Sequence, residues 1–310
     1  GTAIQGVAHA ELSFQGALPY AQERRSMRAL SGKKEPEQVA DALIWHPDVR
    51  RMLLTQKAIA EGGRAMVYGA AKIADQMFNA VTEGDQAKYK KYDDELGFYT
   101  PILKGFLTEM GLEAANLGIQ VFGGHGYIGE HGMEQIARDA RISTLYEGTT
   151  GIQALDLLGR KVLLNTKGKC VRDFSATMLR LIKPYSLQRT PMGQMMRTLA
   201  RRTAQWNVLT TLIMLRASKD REQVGSSSVD YLMYSGFVMM AYFWALQASK
   251  AAELFASGKG KESNDFYTAK IQTAEFYFAR LLPRADGHYS AALAPTSAVM
   301  QMPQELFQMA

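Results

Sequence analysis

The chain has 310 residues, 47% of them hydrophobic, and a formal net charge of +6. That length allows two domains with a sizeable core. The single cysteine, Cys170, excludes an internal disulfide framework and favours a reducing compartment, while the spread of basic residues along the chain, without a long run, disfavours nucleic-acid binding.

Long amphipathic helices are predicted for the first half of the sequence. Apolar residues recur there at intervals of three and four, and a helix over residues 48–81 would be about 50 Å long. Helices of this length indicate an antiparallel bundle. The predicted helices cover residues 3–30, 48–81 and 96–121, with a polar loop at residues 33–47 and a charged loop at residues 83–94.

The second half is also predicted to be helical, so the fold class is all-α. Residues 165–169 have the composition of a linker, and they divide the chain into predicted domains of residues 1–165 and 166–310. The most apolar stretch, residues 231–246, is shorter than the about 20 residues that span a bilayer, so it predicts a buried helix and no transmembrane segment. Helices are predicted over residues 134–145, 149–164, 171–183, 193–218, 229–257 and 263–282.

A glycine-rich loop follows the third helix. Residues 124–129 match the pattern G-x-G-x-x-G, but the preceding residues are helical in pattern and no βαβ unit follows, so a dinucleotide-binding Rossmann unit is not predicted. Two interpretations stay open: a loop whose backbone N–H groups approach a phosphate, or a tight turn between helices.

Neither a metal site nor a nucleophilic triad is predicted from the sequence. His125 and His131 do not share a helical face. His46, at the end of the polar loop, has no second ligand at helical spacing and is interpreted as a capping or packing residue.

Three short segments carry a more specific signal. They are Gln120-Val121-Phe122-Gly123-Gly124-His125-Gly126-Tyr127, Arg138-Asp139-Ala140-Arg141 and Tyr146-Glu147-Gly148-Thr149-Thr150-Gly151-Ile152-Gln153. At this spacing they resemble the acyl-CoA dehydrogenase family. With the residues that follow, the chain resembles the C-terminal half of the large type related to 3-methylmercaptopropionyl-CoA dehydrogenase, a four-helix domain and an extra helical domain without the family's strand-rich first half.

The resemblance implies roles for particular residues. Glu147 matches the catalytic base, and Tyr146 and Gly148 would flank the substrate. The implied flavin contacts are Arg24, which would meet the pyrophosphate from the partner subunit, Gln120, Gly123 and Gly124 at the adenine end, and Thr149.

The implied base is also consistent with elementary chemistry. Removing a proton next to a thioester carbonyl needs a carboxylate in a dry site, because burial raises a carboxyl pKa toward the working range. Leu145 and Tyr146 are expected to provide apolar surroundings, and Gly148 leaves room for the substrate. The backbone N–H of Glu147 is expected to stabilise the enolate-like oxygen.

The expected function is FAD-dependent α,β-dehydrogenation of an acyl-CoA thioester, by a chain that forms the C-terminal part of a longer enzyme. The resemblance further implies an electron-transfer flavoprotein as electron acceptor, a homodimer or dimer of dimers, and the bacterial cytoplasm or mitochondrial matrix as location. Two alternatives stay open: a catalytically idle structural or assembly subunit, and a chain whose active site is completed by a separate polypeptide bearing the β-domain.

Overall fold

The computed structural model describes residues 1–308, and its regular structure is helical. Within this range the one β-type contact is an isolated antiparallel bridge between Arg25 and Ala42. The predicted all-α class is confirmed. The α-helices are α1 (Thr2–Glu23), α2 (Pro47–Thr82), α3 (Gln86–Phe122), α4 (Gly124–Tyr127), α5 (Met133–Ser143), α6 (Thr150–Leu155), α7 (Lys169–Ile182), α8 (Pro191–Ala217), α9 (Glu222–Ser257), α10 (Asn264–Phe276), α11 (Ala285–Ala292) and α12 (Ser297–Met300).

Helices α1, α2 and α3 pack against one another. Gly6 of α1 and Gly111 of α3 let the two backbones touch, since a Cβ atom on either glycine would overlap the backbone of the other helix. Further along, the Ser13 hydroxyl lies 2.9 Å from both Gln56 Oε1 and the Ala114 carbonyl oxygen. One small side chain of α1 therefore ties all three helices together.

Helix α1 ends at Glu23, so the prediction of a helix as far as residue 30 is wrong. Arg24 is extended, with φ −70° and ψ 129°. The chain after it pairs with a second extended segment: the Ser26 amide donates to the Asp41 carbonyl at 3.0 Å and the Leu43 amide to the Arg24 carbonyl at 2.8 Å. These bonds replace the helical ones, so that Arg24, Arg25 and Arg28 lie in a loop.

Helix α3 begins at Gln86, so most of the predicted charged loop at residues 83–94 is helical instead. Asp85 caps the helix by accepting from the Lys88 amide at 2.9 Å. One turn further on, Lys90 pairs with Asp94 at 2.5 Å. Opposite charges four residues apart stabilise a helix, so the charge density that suggested a loop in fact supports α3.

Helix α9 is the central helix of the second half. Its residues 231–246 are almost all buried, as predicted, and the indole N–H of Trp244 donates to the Ala58 carbonyl of α2 at 3.1 Å. No helix within residues 1–308 is long and apolar enough to cross a bilayer.

One hydrophobic core extends through both halves of the chain. The predicted helix over residues 149–164 is α6 followed by a π-helical segment, Asp156–Asn165, and a turn leads from there into α7. The proposed division near residue 165 therefore falls at a turn, while the core continues across it.

Residues 1–165 and residues 166–308 meet along a seam, where glycines of one half face large side chains of the other. A Cβ atom built at any of these glycines would lie within 2.7 Å of an atom of the facing side chain. The facing side chain therefore fits only because the glycine has no side chain. The pairs are Gly62 with Trp244, Gly69 with Phe243, Gly105 with Leu232, and Gly236 with Phe106.

Candidate active site

Glu147 lies in the short loop between α5 and α6. Its φ is 54° and that of Gly148 is 88°, so two successive residues adopt positive φ, which is unfavourable for a non-glycine residue. Strained backbone of this kind persists where surrounding contacts hold it, and it is concentrated at functional sites. The loop is therefore a candidate site on conformational grounds alone.

Four hydrogen bonds hold this loop, and their partners come from α3, from α6 and from the loop itself. The contacts are Gln153 Nε2 to the Glu147 carbonyl (3.0 Å), Lys104 Nζ to the Gly148 carbonyl (2.6 Å), the Thr150 hydroxyl to Glu109 Oε1 (2.5 Å) and the Ile152 amide to the Thr149 hydroxyl (3.4 Å). Thr149 is thereby the N-cap of α6. The conformation of the loop consequently depends on how α3 packs beneath it.

The Glu147 carboxylate lines a cavity of about 470 Å³ and accepts a hydrogen bond from the Thr2 hydroxyl at the start of α1. Most of the cavity wall is apolar and comes from α1, α2 and α3. The apolar side chains are Ala3, Ile4, Val67, Ala70, Ala71, Ala74, Leu96 and Leu103; the polar ones, besides Glu147 and Thr2, are Thr100, Lys104 and Gln153. A base at the edge of an apolar cavity is suited to removing a proton from a largely apolar ligand.

The apolar cover expected from Leu145 and Tyr146 is not found within residues 1–308. Leu145 is 44% exposed, Tyr146 is 36% exposed, and Glu147 itself is exposed. The Tyr146 hydroxyl donates to Gln5 on α1, which ties the ring to the first turn of this helix. Within the described residues these two side chains do not bury Glu147, and the roles of Tyr146 and Gly148 toward a substrate stay predictions.

Arg24, Gln120, Gly123 and Gly124 come together in a second cleft, of about 410 Å³. The cleft lies where the chain leaves α1 and where α3 passes into α4. Arg24 is exposed, so its guanidinium is accessible to an anion, with which it would form charge-assisted hydrogen bonds.

The glycine loop in this cleft is both a tight turn and open to a ligand. Gly123 has φ 61° and ψ −137°, a conformation that glycine adopts readily. Apart from the adjoining backbone, no atom lies within 4 Å of the Cβ position at either Gly123 or Gly124, so a ligand can approach this part of the chain. Both interpretations of the loop are compatible with this geometry.

Asp41 organises the segment that presents Arg24. Its side chain is fully buried and accepts from the amides of Ala29 (2.8 Å), Lys34 (3.0 Å) and Glu35 (2.9 Å), and from the Arg28 guanidinium (3.2 Å). These donors, the Ala29 amide first, hold the pKa of the Asp41 carboxyl well below its usual value of 3.8. The conformation of the loop therefore depends on the ionised carboxylate.

We expect Asp41→Asn to lower the melting temperature, because the amide turns an N–H₂ group toward backbone donors. A carboxyl whose pKa is depressed in the folded state stabilises that state above its ordinary pKa, and this contribution fades as the pH falls below it. The difference in melting temperature between wild type and Asp41→Asn should thus be largest above about pH 5 and shrink below about pH 4. A difference independent of pH would contradict the assigned role.

The two clefts lie toward opposite ends of α1. Thr2, at the first residue of the helix, contacts Glu147, and Arg24 follows the last residue. A helix of 22 residues is about 33 Å long. Glu147 and Arg24 of one chain therefore belong to separate sites, and the predicted flavin contact Thr149 lies with Glu147.

Several residues of these sites were not identified in the sequence. Lys104 stands in an apolar stretch, Ile102-Leu103-Lys104-Gly105-Phe106-Leu107, and a lysine at a core position was the available signal. Thr2 and Asp41 carry no such signal, because their partners are distant in the sequence or belong to the backbone.

No group of three or more potential metal ligands occurs within residues 1–308. His125 Nδ1 lies 2.8 Å from the Tyr20 hydroxyl beside the Arg24 cleft. His46 is the N-cap residue of α2, and its ring bonds the Ser26 carbonyl at 2.8 Å, in keeping with the predicted packing role.

Two family models match the chain. Residues 1–163 match the C-terminal domain of acyl-CoA dehydrogenases, and residues 171–303 match a model described as acetyl-CoA dehydrogenase C-terminal like. The interval between the two matches contains the predicted linker.

The chain is similar to curated proteins of twice its length. It is 36% identical to 3-methylmercaptopropionyl-CoA dehydrogenase from Ruegeria pomeroyi, over 93% of this chain and 47% of that protein. It is 30% identical to the broad-specificity linear acyl-CoA dehydrogenase FadE5 from Mycobacterium tuberculosis, over 90% of this chain and 46% of that protein. The chain therefore spans about half the length of the curated relatives it matches.

The fold matches a solved structure of an acyl-CoA dehydrogenase complexed with FAD from Bacillus anthracis. The TM-score is 0.67, and the match covers 100% of this chain and 49% of that one. Because the two are 17% identical, this likeness concerns the fold alone.

Proposed function

The chain belongs to the acyl-CoA dehydrogenase family, and on that premise we propose that it forms the C-terminal helical part of an FAD-dependent enzyme that oxidises acyl-CoA thioesters between the α and β carbons. One observation carries the proposal: the Glu147 carboxylate is held by a positive-φ turn at the edge of an apolar cavity.

In the proposed reaction Glu147 removes a proton from the carbon next to the thioester carbonyl. The apolar walls of its cavity hold the acyl chain, with Tyr146 and Gly148 beside the substrate. The backbone amide of Glu147 donates to the carbonyl oxygen as negative charge develops on it. Bound FAD supplies the acceptor for the hydride that leaves the neighbouring carbon.

A general base in this reaction works in a site from which water is excluded. Glu147 is exposed within residues 1–308, so we assign its cover to the bound substrate, the flavin and the remaining part of a longer enzyme. The length of the curated relatives, about twice that of this chain, supports this assignment.

The Arg24 cleft fits the phosphate and adenine end of FAD. It offers an exposed guanidinium, open glycine backbone at Gly123 and Gly124, and the Tyr20 ring, stacked on Phe122 at 4.0 Å between ring centroids. The length of α1 separates this cleft from Glu147. We therefore assign the two ends of one FAD to two subunits, the ring beside Glu147 and Thr149 of one subunit, and the pyrophosphate beside Arg24 of the partner subunit.

The remaining proposals follow from the family. An electron-transfer flavoprotein is the proposed electron acceptor, a homodimer or dimer of dimers the proposed assembly, and the bacterial cytoplasm or mitochondrial matrix the proposed location. The idle-subunit alternative is less well supported, because a structural subunit has no need of a carboxylate held in a strained turn.

The proposal is tested by anaerobic titration of the full-length protein with acyl-CoA thioesters of graded chain length. Bleaching of the flavin absorbance on addition of substrate supports it. A folded protein whose bound flavin is not reduced by any acyl-CoA would favour the idle subunit. Bleaching that requires a second polypeptide would favour an active site completed by another chain.

We expect Arg24→Ala to reduce both flavin retention and dimer stability, because the same guanidinium would serve the cofactor of the partner subunit. Flavin content after gel filtration and the sedimentation coefficient measure the two effects. Arg50→Ala, which removes an exposed arginine outside the cleft, is the control. Unchanged flavin content and dimerisation in Arg24→Ala would contradict the assignment.

A further inference from the structure

Lys104 is a buried lysine beneath the Glu147 loop. Lys104 is 7% exposed and lies in the middle of α3 among the fully buried Ile102, Phe106 and Leu107. Burying an ammonium group is costly unless the group is hydrogen-bonded or paired. A lysine at this position therefore calls for a specific partner.

That partner is the backbone of the loop. The Lys104 ammonium donates to the Gly148 carbonyl at 2.6 Å, across 44 positions of sequence. Five residues further along α3, Glu109 accepts from the Thr150 hydroxyl at 2.5 Å. Two charged side chains of one helix thus hold the loop on both sides of Thr149.

The bond to Gly148 fixes a peptide plane. Because a trans peptide is planar, turning the Gly148 carbonyl toward Lys104 turns the Thr149 N–H in the opposite direction. The same bond anchors the second of the two residues with positive φ, directly after Glu147. Lys104 therefore constrains the orientation of Glu147 and of the Thr149 amide together.

From this geometry we infer that Lys104 is a positioning residue for proton abstraction, one that acts by holding the Glu147–Thr149 backbone in its strained conformation. The inference rests on the proposed function, since it concerns the same base. It assigns a role in the reaction to a side chain that lies outside the sequence motif.

The electrostatic surroundings agree with this role. Burial lowers the pKa of Lys104, while the nearby Glu109 and Glu147 carboxylates oppose that shift. Lys104 and Glu147 also line the same cavity. The positive charge is thus compensated by the Gly148 carbonyl and by the Glu147 and Glu109 carboxylates.

The test is Lys104→Met in the flavin-loaded holoenzyme, which keeps the length of the side chain but removes the donor and the charge. We expect kcat to fall by about 100-fold, as small displacements of reacting groups can cause, with KM changed much less and flavin content unchanged. Hydrogen exchange measured by mass spectrometry should become faster in peptides covering residues 145–153, because the loop opens locally. Lys104→Arg, which keeps a charged donor, should recover part of kcat.

Arg202→Met is the matched control, because Arg202 is 2% exposed and bonds Asp286 and Gln205, neither of which belongs to the loop. It should lower stability without changing kcat or the exchange of residues 145–153. The inference is overturned if Lys104→Met keeps kcat within threefold, or if its exchange becomes faster over the whole chain and not selectively at residues 145–153. Three outcomes separate the hypotheses. If the wild-type holoenzyme oxidises no acyl-CoA, the proposed function fails; if Glu147→Gln is as active as wild type, Glu147 is not the base and the role of Lys104 falls with it; if Glu147→Gln is inactive while Lys104→Met is active, only the role of Lys104 fails.

Discussion

Glu147→Gln, in the complete enzyme, should lower the rate of acyl-CoA oxidation by at least the ~10²–10⁴-fold that general-base catalysis contributes. The amide keeps the size of the side chain and still accepts a hydrogen bond from Thr2, but it cannot take up the substrate proton. The flavin should stay bound, because the amide is as large as the carboxylate beside the proposed ring site and the Arg24 cleft, proposed for the phosphate and adenine end, is unchanged. The measurement is anaerobic reduction of bound flavin by acyl-CoA in a stopped-flow experiment.

Glu130→Gln is the matched control, since this glutamate is exposed and lies in the short turn after α4. It should react at the wild-type rate. If Glu147→Gln retained activity within threefold, another residue would be the base, and Glu147 would have only a structural role.

The second large effect is expected for Gly6→Ala. A Cβ atom at Gly6 would overlap the Leu107 carbonyl of α3, and backbone cannot move aside as a side chain can. Helix α1 would have to shift away from α3, at a cost of about 3 kcal/mol, the upper end of typical overpacking effects. Because Thr2 contacts Glu147 one turn earlier in α1, the base would also lose its partner. Thermal unfolding and turnover should both be impaired.

Gly287→Ala provides the comparison for Gly6→Ala. Gly287 is a helical glycine of α11 with no atom within 4 Å of its Cβ position, and alanine is favoured over glycine inside a helix by about 1 kcal/mol. This variant should be as stable as wild type or more so. If Gly6→Ala also melted at the wild-type temperature, α1 and α3 could not be in backbone contact.

Helix content could be predicted from the sequence because it depends on local periodicity. The end of α1 could not, because it is decided by bonds from residues 24–26 to residues 41–43, which no local pattern reveals. The start of α3 could not be predicted for a different reason. Its first turns carry many charges and few apolar residues, so apolar periodicity does not indicate a helix there.

The residues of the candidate site also differ in how far the sequence reveals them. Glu147 and the glycine loop stand in recognisable motifs, and Arg24 could be connected with Gln120 only through a resemblance, although the structure brings the two into one cleft. The role of Lys104 could not be predicted, because its partner is a backbone carbonyl 44 positions away in the sequence. Contacts between a side chain and a distant backbone leave no trace in residue spacing.

The seam between the two halves constrains how this chain can diverge. Trp244 and Phe243 occupy room that exists only because Gly62 and Gly69 have no side chain, and Phe106 depends on Gly236 in the same manner. A bulkier residue in place of one of these glycines requires a smaller partner in the other half. Substitutions at these positions in one half therefore need matching changes in the other. A chimera that joins the first half to the second half of a distant relative would be expected to place large side chains where there is no room for them.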